Sequence, residues 1–483
     1  MTEIRSREEI YIGGEWVPSS GHGVIEVVSP NTEEVIATAP DATVADMDAA
    51  VAAARNAMDH GPWPRMDKAE RLAAISALSA ELLANGQAVA DTISAENGCP
   101  AKWSFGGQVM SATMTLDAFA AIGADYELDS VRTGGLGQNV RVLKTPVGVV
   151  AGITPWNAPL FIMALKLGPA MVTGSPIIIK ASPETPLDAY LLADAVEAVG
   201  LPPGVVNVVA AGREASDHLV RHPGIDKVAF TGSTATGRHI GSICGEQLKR
   251  CSLELGGKSA AIVLEDFDLT SVPELIDSGM LNNGQACLAQ TRILAPRSRY
   301  NEVVDAMATH VAAMVVGDSL DPGTDIGPMV TARQRDRVVG YLEIARDEGA
   351  RAVTGGSVPA DRDRGWFVEP TVLAGVDNSM RVAREEIFGP VLSVIPYDGE
   401  DEAVAIANDS DYGLSGSVWS ADADHARDLA TRVRTGTVAI NTQLNLDWHS
   451  PFGGMKNSGV GRELGPEGID QYVEYQSIID APG

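Results

Sequence analysis

Residues 147–159 read VGVVAGITPWNAP, and this stretch decides the fold class. Residues 147–153 form a short apolar run typical of a buried strand, and Pro155 and Pro159 bound it on its carboxyl side. Open parallel sheets bind ligands at the carboxyl ends of their strands. The stretch therefore predicts a parallel α/β sheet with a site at that edge. Asn157 offers an amide donor suited to an oxyanion, although the segment could equally be only a rigid turn.

Working outward, further short apolar runs alternate with helical segments, which predicts βα units and a parallel sheet. These predicted strands cover residues 177–180, 205–209 and 228–230. A second series follows Glu254-Leu255-Gly256-Gly257 and covers residues 260–264, 292–295, 391–395 and 437–441. We place a boundary between two lobes near that motif.

The first third of the chain carries helical periodicity. Thr43 with Asp46, and Asp67 with Glu70, have the spacing of capping boxes at helix starts. The second of these helices presents the apolar residues Leu72, Ile75, Leu78 and Leu82. Both are predicted to be scaffold helices.

Two segments fit neither lobe. Residues 125–147, with Gly134-Gly135 at their middle, predict a β-hairpin, and residues 472–479 predict an extended C-terminal strand. Because exposed strand edges are usually covered, these segments could cover one another across subunits. We therefore expect a homodimer or homotetramer.

Composition bounds the function classes. A chain of 483 residues exceeds the size of one core and predicts two large lobes. A net charge of −28 argues against a nucleic-acid partner, because that affinity comes chiefly from Lys and Arg. Four cysteines without C-x-x-C spacing predict neither disulfides nor a metal site. We see no membrane span and no apolar core in the first residues that would direct export, so a cytoplasmic protein is expected.

The most informative window is residues 283–292, NGQACLAQTR, in which Cys287 sits among small and polar residues. A nucleophilic thiol needs partial exposure and a lowered pKa. Taken alone, one cysteine in a chain of this length is more often a buried small apolar residue. The neighbouring motifs must decide between these interpretations.

A second window places Glu254 before Gly256 and Gly257, whose lack of a side chain lets the backbone pass close to another group. Glu254 could act as a general base, or it could be a solvated glutamate before a helix-ending glycine pair. A third window, residues 230–237 (FTGSTATG), is a strand-to-helix turn that could receive phosphate at a helix N-terminus. It differs from G-x-G-x-x-G and is a weak dinucleotide signal by itself.

Together these windows resemble the aldehyde dehydrogenase superfamily. The matching motifs are Pro155-Trp156-Asn157, Phe230-Thr231-Gly232-Ser233, Glu254-Leu255-Gly256-Gly257-Lys258, Gly284-Gln285-Ala286-Cys287, Glu386-Ile387-Phe388-Gly389-Pro390, Pro451-Phe452-Gly453-Gly454 and Gly461-Arg462-Glu463. They run in the family's order over essentially the whole chain, from about Gly13 to the last strand.

The resemblance implies an α/β fold with a Rossmann-like cofactor domain, an α/β catalytic domain and a small β oligomerisation arm. Residues 1–124 and 147–254 would form the cofactor domain, and residues 255–445 the catalytic domain. Residues 125–146 and 470–483 would form the arm, and residues 446–469 would return to the cofactor domain.

The resemblance also implies the catalytic roles. Cys287 would be the nucleophile, Glu254 the base that activates the deacylating water, and Asn157 with the Cys287 backbone N–H the oxyanion hole. Lys166 and Glu463 match a proton-relay pair. The aldehyde would be attacked by the thiolate and oxidised to a thioester, and hydrolysis would release the carboxylic acid.

Cofactor contacts are implied at the following positions: Ile153, Thr154, Pro155, Trp156, Lys180, Ser182, Gly212, Gly232, Ser233, Thr236, Leu255, Gln334, Glu386 and Phe388. Lys180 and Glu386 would contact the riboses, Trp156 and Gly212 would line the adenine and ribose path, and Gly232 with Ser233 would face the pyrophosphate. Phe388 and Gln334 would flank the nicotinamide. The cofactor is expected to be NAD, with NADP as an alternative.

The sequence departs from the family at the adenosine ribose. Many strictly NAD-dependent members carry a glutamate three residues after the conserved lysine, where this chain has Pro183. Glu184 is adjacent and no arginine is expected nearby to attract a 2′-phosphate, so we predict that NAD is preferred and NADP tolerated.

The aldehyde channel would be lined by the apolar residues Ala158, Phe161, Leu165, Leu446 and Trp448. Each could instead be ordinary core packing. An aromatic, terpenoid or medium-chain aliphatic aldehyde would suit this lining.

Three alternatives stay open. A CoA-acylating semialdehyde dehydrogenase would pass the acyl group to CoA, but Glu254 favours water. A Cys-His hydrolase would need a histidine such as His218, His222 or His239 beside Cys287. A silent structural relative would keep the fold without turnover.

Overall fold

The computed structural model describes residues 4–443 and 446–481. The predicted boundaries at residues 1, 445 and 483, and the N-terminal residues 1–3 that were part of the export argument, lie outside this part of the chain. The fold is α/β, with two large sheets and two small ones.

The helices are α1 (Val44–Asp59), α2 (Lys68–Ala84), α3 (Gly86–Asn97), α4 (Ala101–Ser104), α5 (Ser111–Asp125), α6 (Pro159–Thr173), α7 (Leu187–Val199), α8 (Arg213–Arg221), α9 (Thr234–Gln247), α10 (Val272–Met280), α11 (Tyr300–Ala312), α12 (Ala332–Asp347), α13 (Arg381–Arg384), α14 (Glu400–Asn408), α15 (Ala423–Ala430) and α16 (Gly465–Asp470).

The strands are β1 (Glu9–Ile12), β2 (Glu15–Pro18), β3 (Val24–Val28), β4 (Val35–Pro40), β5 (Asp129–Thr133), β6 (Asn139–Pro146), β7 (Val150–Ile153), β8 (Ile177–Ala181), β9 (Val206–Ala210), β10 (Lys227–Thr231), β11 (Arg250–Glu254), β12 (Ala260–Val263), β13 (Arg292–Pro296), β14 (Arg351–Thr354), β15 (Thr371–Ala374), β16 (Val391–Tyr397), β17 (Gly416–Trp419), β18 (Ala439–Ile440), β19 (Gly459–Val460) and β20 (Val473–Ile479).

The first sheet has the order β19-β11-β10-β7-β8-β9-β1-β2. Its five central strands, β11 to β9, are parallel, and β19 and β1 add antiparallel edges. β7 to β10 are buried along their whole length, as expected of a parallel sheet covered on both faces. The predicted strands of this series are therefore confirmed, although β7 begins at Val150 rather than residue 147.

The second sheet has the order β14-β15-β16-β13-β12-β17-β18 and is parallel except for β14. The chain passes from the first sheet to the second between Glu254, which ends β11, and Ala260, which begins β12. The predicted strand at residues 437–441 is reduced to Ala439–Ile440.

The hairpin and the C-terminal strand form a third sheet, β20-β6-β5. β20 pairs with β6 over seven registered positions, from Val473 with Pro146 to Ile479 with Val140. The prediction that these segments are extended is confirmed, but the idea that they cover one another across subunits is wrong, since they pair within one chain. β3 and β4 form the remaining two-stranded sheet.

The predicted capping boxes begin the first two long helices. Thr43 accepts a hydrogen bond from the Asp46 amide at 3.2 Å, and the Asp46 carboxylate accepts one from the Thr43 amide at 2.8 Å. Asp67 and Glu70 form the same box at the start of α2. These local signals could be read from sequence because each cap satisfies amides within its own first turn.

Among the described residues, no single helix has the length and apolar composition needed to cross a bilayer. Only the pair α2 and α3, taken together across a 69° bend, meets that composition.

Candidate active site

The candidate site lies at the carboxyl ends of the central strands of the first sheet. β7, β8, β10 and β11 end at Ile153, Ala181, Thr231 and Glu254, and the strand register places Ile153 beside Lys180 and Thr231 beside Glu254. Residues predicted from distant windows are therefore neighbours, as the sheet rule requires.

The Cys287 loop is held in an unusual backbone conformation. It follows a tight turn, Leu281–Gly284, in which Asn282 and Asn283 have left-handed φ angles of 50° and 60°. Their side chains are anchored: Asn282 Nδ2 donates to the Asn157 carbonyl at 2.8 Å, and Asn283 Nδ2 donates to the Gly98 carbonyl at 2.9 Å. Left-handed non-glycine residues are costly and cluster at functional loops. Neither asparagine was predicted as a site residue from the sequence.

Asn157 is joined directly to the same loop. Its Nδ2 donates to the Gln285 carbonyl at 2.8 Å, and its side chain is buried. Because Asn157 also accepts from Asn282, two hydrogen bonds fix it against the segment that carries Cys287. The structure therefore brings together the predicted oxyanion donor and the predicted nucleophile.

Cys287 is partly exposed, but its thiol is not acidic. Burial of the sulfur, followed by the nearby carboxylates of Glu386 and Glu254, raises its pKa to about 12. The expectation of a lowered pKa is wrong for this arrangement, because the sulfur is buried and the charged groups that act on it are anionic rather than cationic. A thiolate formed here needs a base to take its proton.

Glu254 is 3% exposed and ends β11. Neither carboxylate oxygen makes a well-formed hydrogen bond with a described residue, although the Gly454 amide lies close enough to lower its pKa somewhat. Burial and then the Glu463 carboxylate raise the pKa of Glu254 well above its ordinary value. The alternative that Glu254 is a solvated residue before a helix end is wrong.

Behind Glu254 lies a buried ion pair. Lys166 on α6 donates from Nζ to Glu463 Oε1 at 2.8 Å and to Thr231 Oγ1 at 2.7 Å. The two charged side chains are 0% and 4% exposed. Lys166 lowers the pKa of Glu254 and Glu463 raises it, so the three groups are electrostatically coupled.

A second group of predicted residues surrounds Gly257. Glu386 Oε1 accepts from the Gly257 amide at 3.0 Å, and a side chain at Gly257 would collide with the Cys287 carbonyl. The rings of Trp156 and Phe388 meet edge to face at 5.4 Å. Gln334 Nε2 donates to the Phe388 carbonyl at 2.7 Å. These residues form one wall beside the nucleophile.

A third group lies at the carboxyl ends of β7, β8 and β9. The Thr154 amide donates to the Lys180 carbonyl at 3.1 Å, and burial lowers the pKa of the Lys180 ammonium to about 8. The Gly212 amide, before α8, donates to Asp41 at 2.9 Å. Ile153 and Pro155 lie in the same strand-end segment as Thr154.

The N-terminus of α9 completes this side of the site. Ser233 is its N-cap and accepts from the Thr236 amide at 3.3 Å. A side chain at Gly232 would meet the Phe230 ring, and one at Gly237 would meet Leu255, so both glycines permit close packing of this helix on the sheet. Free amides at a helix start, aromatic faces and flanking hydroxyls fit a dinucleotide.

The expectation that no arginine lies near Glu184 is wrong. Arg333 Nη2 on α12 lies 3.2 Å from Glu184 Oε1. The two residues are 149 positions apart in the sequence, and only the folded chain brings the start of α12 beside the segment that follows β8. No sequence signal indicated this pair.

The residues predicted for the aldehyde channel lie in the apolar cluster that also contains Cys287. Phe161 and Leu165 are buried on α6, with Ala158 at its N-cap. Leu446 and Trp448 pack against the same cluster, and Trp448 Nε1 donates to Thr115 Oγ1 at 3.1 Å.

A cavity of about 430 Å³ lies beside the Asn282 turn. Trp103, Leu281, Asn282, Met280 and Asp277 are among its lining residues, and none of the five predicted channel residues lines it. Sequence analysis missed this space because its walls come from α4, α10 and α11.

The histidines named for a hydrolase are engaged elsewhere. His218 on α8 contacts Asp48 at 2.6 Å, and His239 on α9 contacts Asp217 at 2.6 Å. His222 also faces Asp48, at 3.4 Å. These contacts do not support a Cys-His hydrolase.

Comparison with known proteins places the whole chain. The model of the Aldehyde dehydrogenase family matches residues 16–478. The chain is 48% identical to geranial dehydrogenase of Castellaniella defragrans, over 98% of both chains.

Solved structures give the same result. An aldehyde dehydrogenase of Mycobacterium tuberculosis complexed with NAD⁺ superposes with a TM-score of 0.97 at 46% identity, covering 100% of this chain and 99% of that one. A mutant of aldehyde dehydrogenase C from Pseudomonas syringae complexed with NAD⁺ and octanal gives 0.94 at 38% identity, covering 98% and 96%.

Proposed function

This chain belongs to the aldehyde dehydrogenase family, and from that premise we propose that it oxidises an apolar aldehyde to the carboxylic acid with NAD, through a thioester on Cys287. The proposal rests chiefly on one hydrogen bond between two segments that are distant in the sequence. Asn157 Nδ2 donates to the carbonyl of Gln285, two residues before Cys287, at 2.8 Å. Glu254, buried and without a firm hydrogen bond, faces the same thiol.

In the first half-reaction Cys287 adds to the aldehyde carbon. Because burial raises its pKa to about 12, the thiol ionises by losing its proton to solvent, and the thiolate then adds to the carbon, which leaves Glu254 ionisable for the second half-reaction. The new oxyanion would be held by the Asn157 amide and the Cys287 backbone N–H. One such donor typically contributes about 10²–10³ in rate.

NAD, when bound, supplies the acceptor for the hydride that leaves the thiohemiacetal carbon. The residues that would hold it are Trp156, Lys180, Ser182, Gly212, Ser233, Glu386 and Phe388, with Ile153, Thr154, Pro155, Gly232, Thr236, Leu255 and Gln334 around them. Complexes of two similar structures with NAD⁺ support this cofactor. Pro183 leaves NADP as a tolerated alternative.

In the second half-reaction water cleaves the Cys287 thioester. Glu254 would take the water's proton, since burial makes its carboxylate a stronger base than an exposed glutamate. The proton could then leave through Glu463 and Lys166, whose 2.8 Å pair lies behind Glu254. This role for Glu254 favours water over CoA as the acyl acceptor.

The proposed substrate class rests on the apolar residues Ala158, Phe161, Leu165, Leu446 and Trp448, which belong to or pack against the same extended apolar core as Cys287. Geranial and octanal, named for two similar proteins, are a terpenoid and a medium-chain aliphatic aldehyde. We therefore propose an aromatic, terpenoid or medium-chain aliphatic aldehyde.

The assembly and domain roles are also proposals. The first sheet and its helices would be the cofactor domain, the second sheet the catalytic domain, and the sheet β20-β6-β5 the oligomerisation arm. The outer strand β5 is largely exposed and could pair with another subunit in a homodimer or homotetramer. Four unbonded cysteines suit the cytoplasm.

The test is a panel of aldehydes, including geranial, octanal, phenylacetaldehyde and a charged semialdehyde, assayed with NAD and NADP, with and without CoA. We expect the highest kcat/KM for the apolar members with NAD, and no acyl-CoA product. A preference for the charged semialdehyde, or formation of acyl-CoA, would overturn the substrate or the acceptor assignment.

A further inference from the structure

The Glu184–Arg333 pair stands at the end of β8, next to residues assigned above to the adenosine ribose. Glu184 Oε1 lies 3.2 Å from Arg333 Nη2, and Glu184 Oε2 accepts from Ser182 Oγ at 2.5 Å. The Arg333 side chain is 83% exposed, whereas Glu184 is 22% exposed. The carboxylate is therefore fixed by a short hydrogen bond, and the guanidinium is free to move.

The position of this pair in the strand order indicates which part of the cofactor it would contact. β8 neighbours β7 in the parallel sheet, and the residues after the second strand of such a sheet contact the adenosine ribose. An acidic residue there binds the 2′-hydroxyl of NAD, and an arginine accommodates the 2′-phosphate of NADP. This chain has both residue types here, Glu184 and Arg333, and they form an ion pair.

The charges of three side chains determine whether a 2′-phosphate would be attracted to this position. Arg333 and the Lys180 ammonium are cationic and Glu184 is anionic, so the three groups are together attractive to phosphate. Without Arg333, the Glu184 carboxylate would face the phosphate uncompensated. An exposed ion pair is weak, so Arg333 can leave Glu184 at little cost and offer a bidentate contact to phosphate instead.

We propose that Arg333 is a specificity-determining residue that lets this enzyme accept a 2′-phosphorylated cofactor by moving from Glu184 to the phosphate. Glu184, held by Ser182, remains the partner for the ribose hydroxyls of NAD. The inference rests on the proposed function, because it assumes that the ribose lies at Lys180 and Ser182.

The experiment measures binding without turnover, by calorimetry with adenosine 2′,5′-bisphosphate and with 5′-AMP. It compares the wild type, Arg333→Gln, Glu184→Gln and the control Arg335→Gln. Arg335 lies on the same helix but pairs with Asp336 at 2.9 Å. The kcat/KM ratio of NADP to NAD is measured on the same four proteins.

We expect Arg333→Gln to reduce the affinity ratio of the bisphosphate to 5′-AMP about 10-fold, and Glu184→Gln to raise it. Arg335→Gln should leave the ratio unchanged, and the NADP to NAD ratio of kcat/KM should follow the same order. Equal losses for both nucleotides with Arg333→Gln, or equal effects of the two arginine variants, would overturn the proposal.

A wild type that binds 5′-AMP but not the bisphosphate would also overturn the role of Arg333, while leaving NAD-dependent oxidation standing. Failure of the proposed function would look different, because neither nucleotide would bind and no aldehyde would be oxidised.

Discussion

The buried pair of Lys166 and Glu463 allows a sharp test of how the site is built. The perturbation is a double-mutant cycle with Lys166→Met, Glu463→Leu and both together. In the wild type the two charges are 2.8 Å apart, 0% and 4% exposed, and Lys166 also donates to Thr231 at 2.7 Å. Each single variant leaves one charge buried without its counter-ion.

The expected magnitude follows from that burial. Removing one partner of a buried ion pair typically costs about 3–5 kcal/mol, because the remaining charge is desolvated and uncompensated. Replacing both by apolar residues of similar volume is often neutral or stabilising by about 1–4 kcal/mol. The coupling free energy between the two positions should therefore be at least about 3 kcal/mol.

The assay is urea unfolding followed by tryptophan fluorescence at fixed protein concentration, with circular dichroism as a second probe. The exposed pair of Arg381 and Glu385, 2.8 Å apart, is the control cycle, and its coupling should stay below about 1 kcal/mol. If the Lys166/Glu463 double variant were destabilised by the sum of the two single variants, the pair would not be buried and coupled as described.

Three further predictions concern the chemistry. Asn157→Ala should lower kcat/KM by about 10²–10³, through loss of an oxyanion donor. Thr115→Val, which removes the hydrogen bonds of the Thr115 hydroxyl to Trp448 and to the Ser111 carbonyl, should have a far smaller effect, and equal losses would refute the role of Asn157. Alkylation of Cys287 by iodoacetamide in the free enzyme should accelerate about tenfold per pH unit between pH 7 and 10, because its pKa is raised to about 12 by burial; a plateau below pH 9 would contradict this. In the pH profile of kcat, the acid limb reports the ionisation of Glu254. Lys166 lowers the pKa of Glu254 and Glu463 raises it, so this limb should move to higher pH in Lys166→Met and to lower pH in Glu463→Gln. Shifts of both variants in the same direction would refute the coupling.

Local signals carried much of the fold from sequence. Capping boxes at Thr43 and Asp67 and the apolar runs of β7 to β10 depend on neighbours within one turn or one strand. β17, Gly416–Trp419, was missed because its four residues include a glycine and a serine and carry no strong apolar run. The hairpin was predicted as the partner of β20, but across subunits. That β20 pairs with β6 of the same chain, some 330 residues earlier, was missed.

The candidate site likewise contains residues that could be predicted from the sequence and contacts that could not. The family resemblance placed Asn157, Glu254 and Cys287 in one site. The convergence of the carboxyl ends of parallel strands accounts for Asn157, which follows β7, and Glu254, which ends β11, but not for Cys287, which precedes β13. The raised pKa of Cys287 depends on burial and on Glu386 and Glu254, which sequence spacing does not reveal. The Glu184–Arg333 contact likewise exists only after two distant elements pack.

Cys287 is proposed to carry a thioester that is hydrolysed by a water molecule activated by Glu254. The most direct test of this proposal is rapid-mixing measurement of NADH formation by Glu254→Gln with saturating NAD and an apolar aldehyde. We expect a burst close to one NADH per active site, followed by turnover about 10²–10⁴ slower than wild type, with the acyl group detected on Cys287 by mass spectrometry. Loss of the burst in proportion to turnover, with no acylated Cys287, would contradict the account.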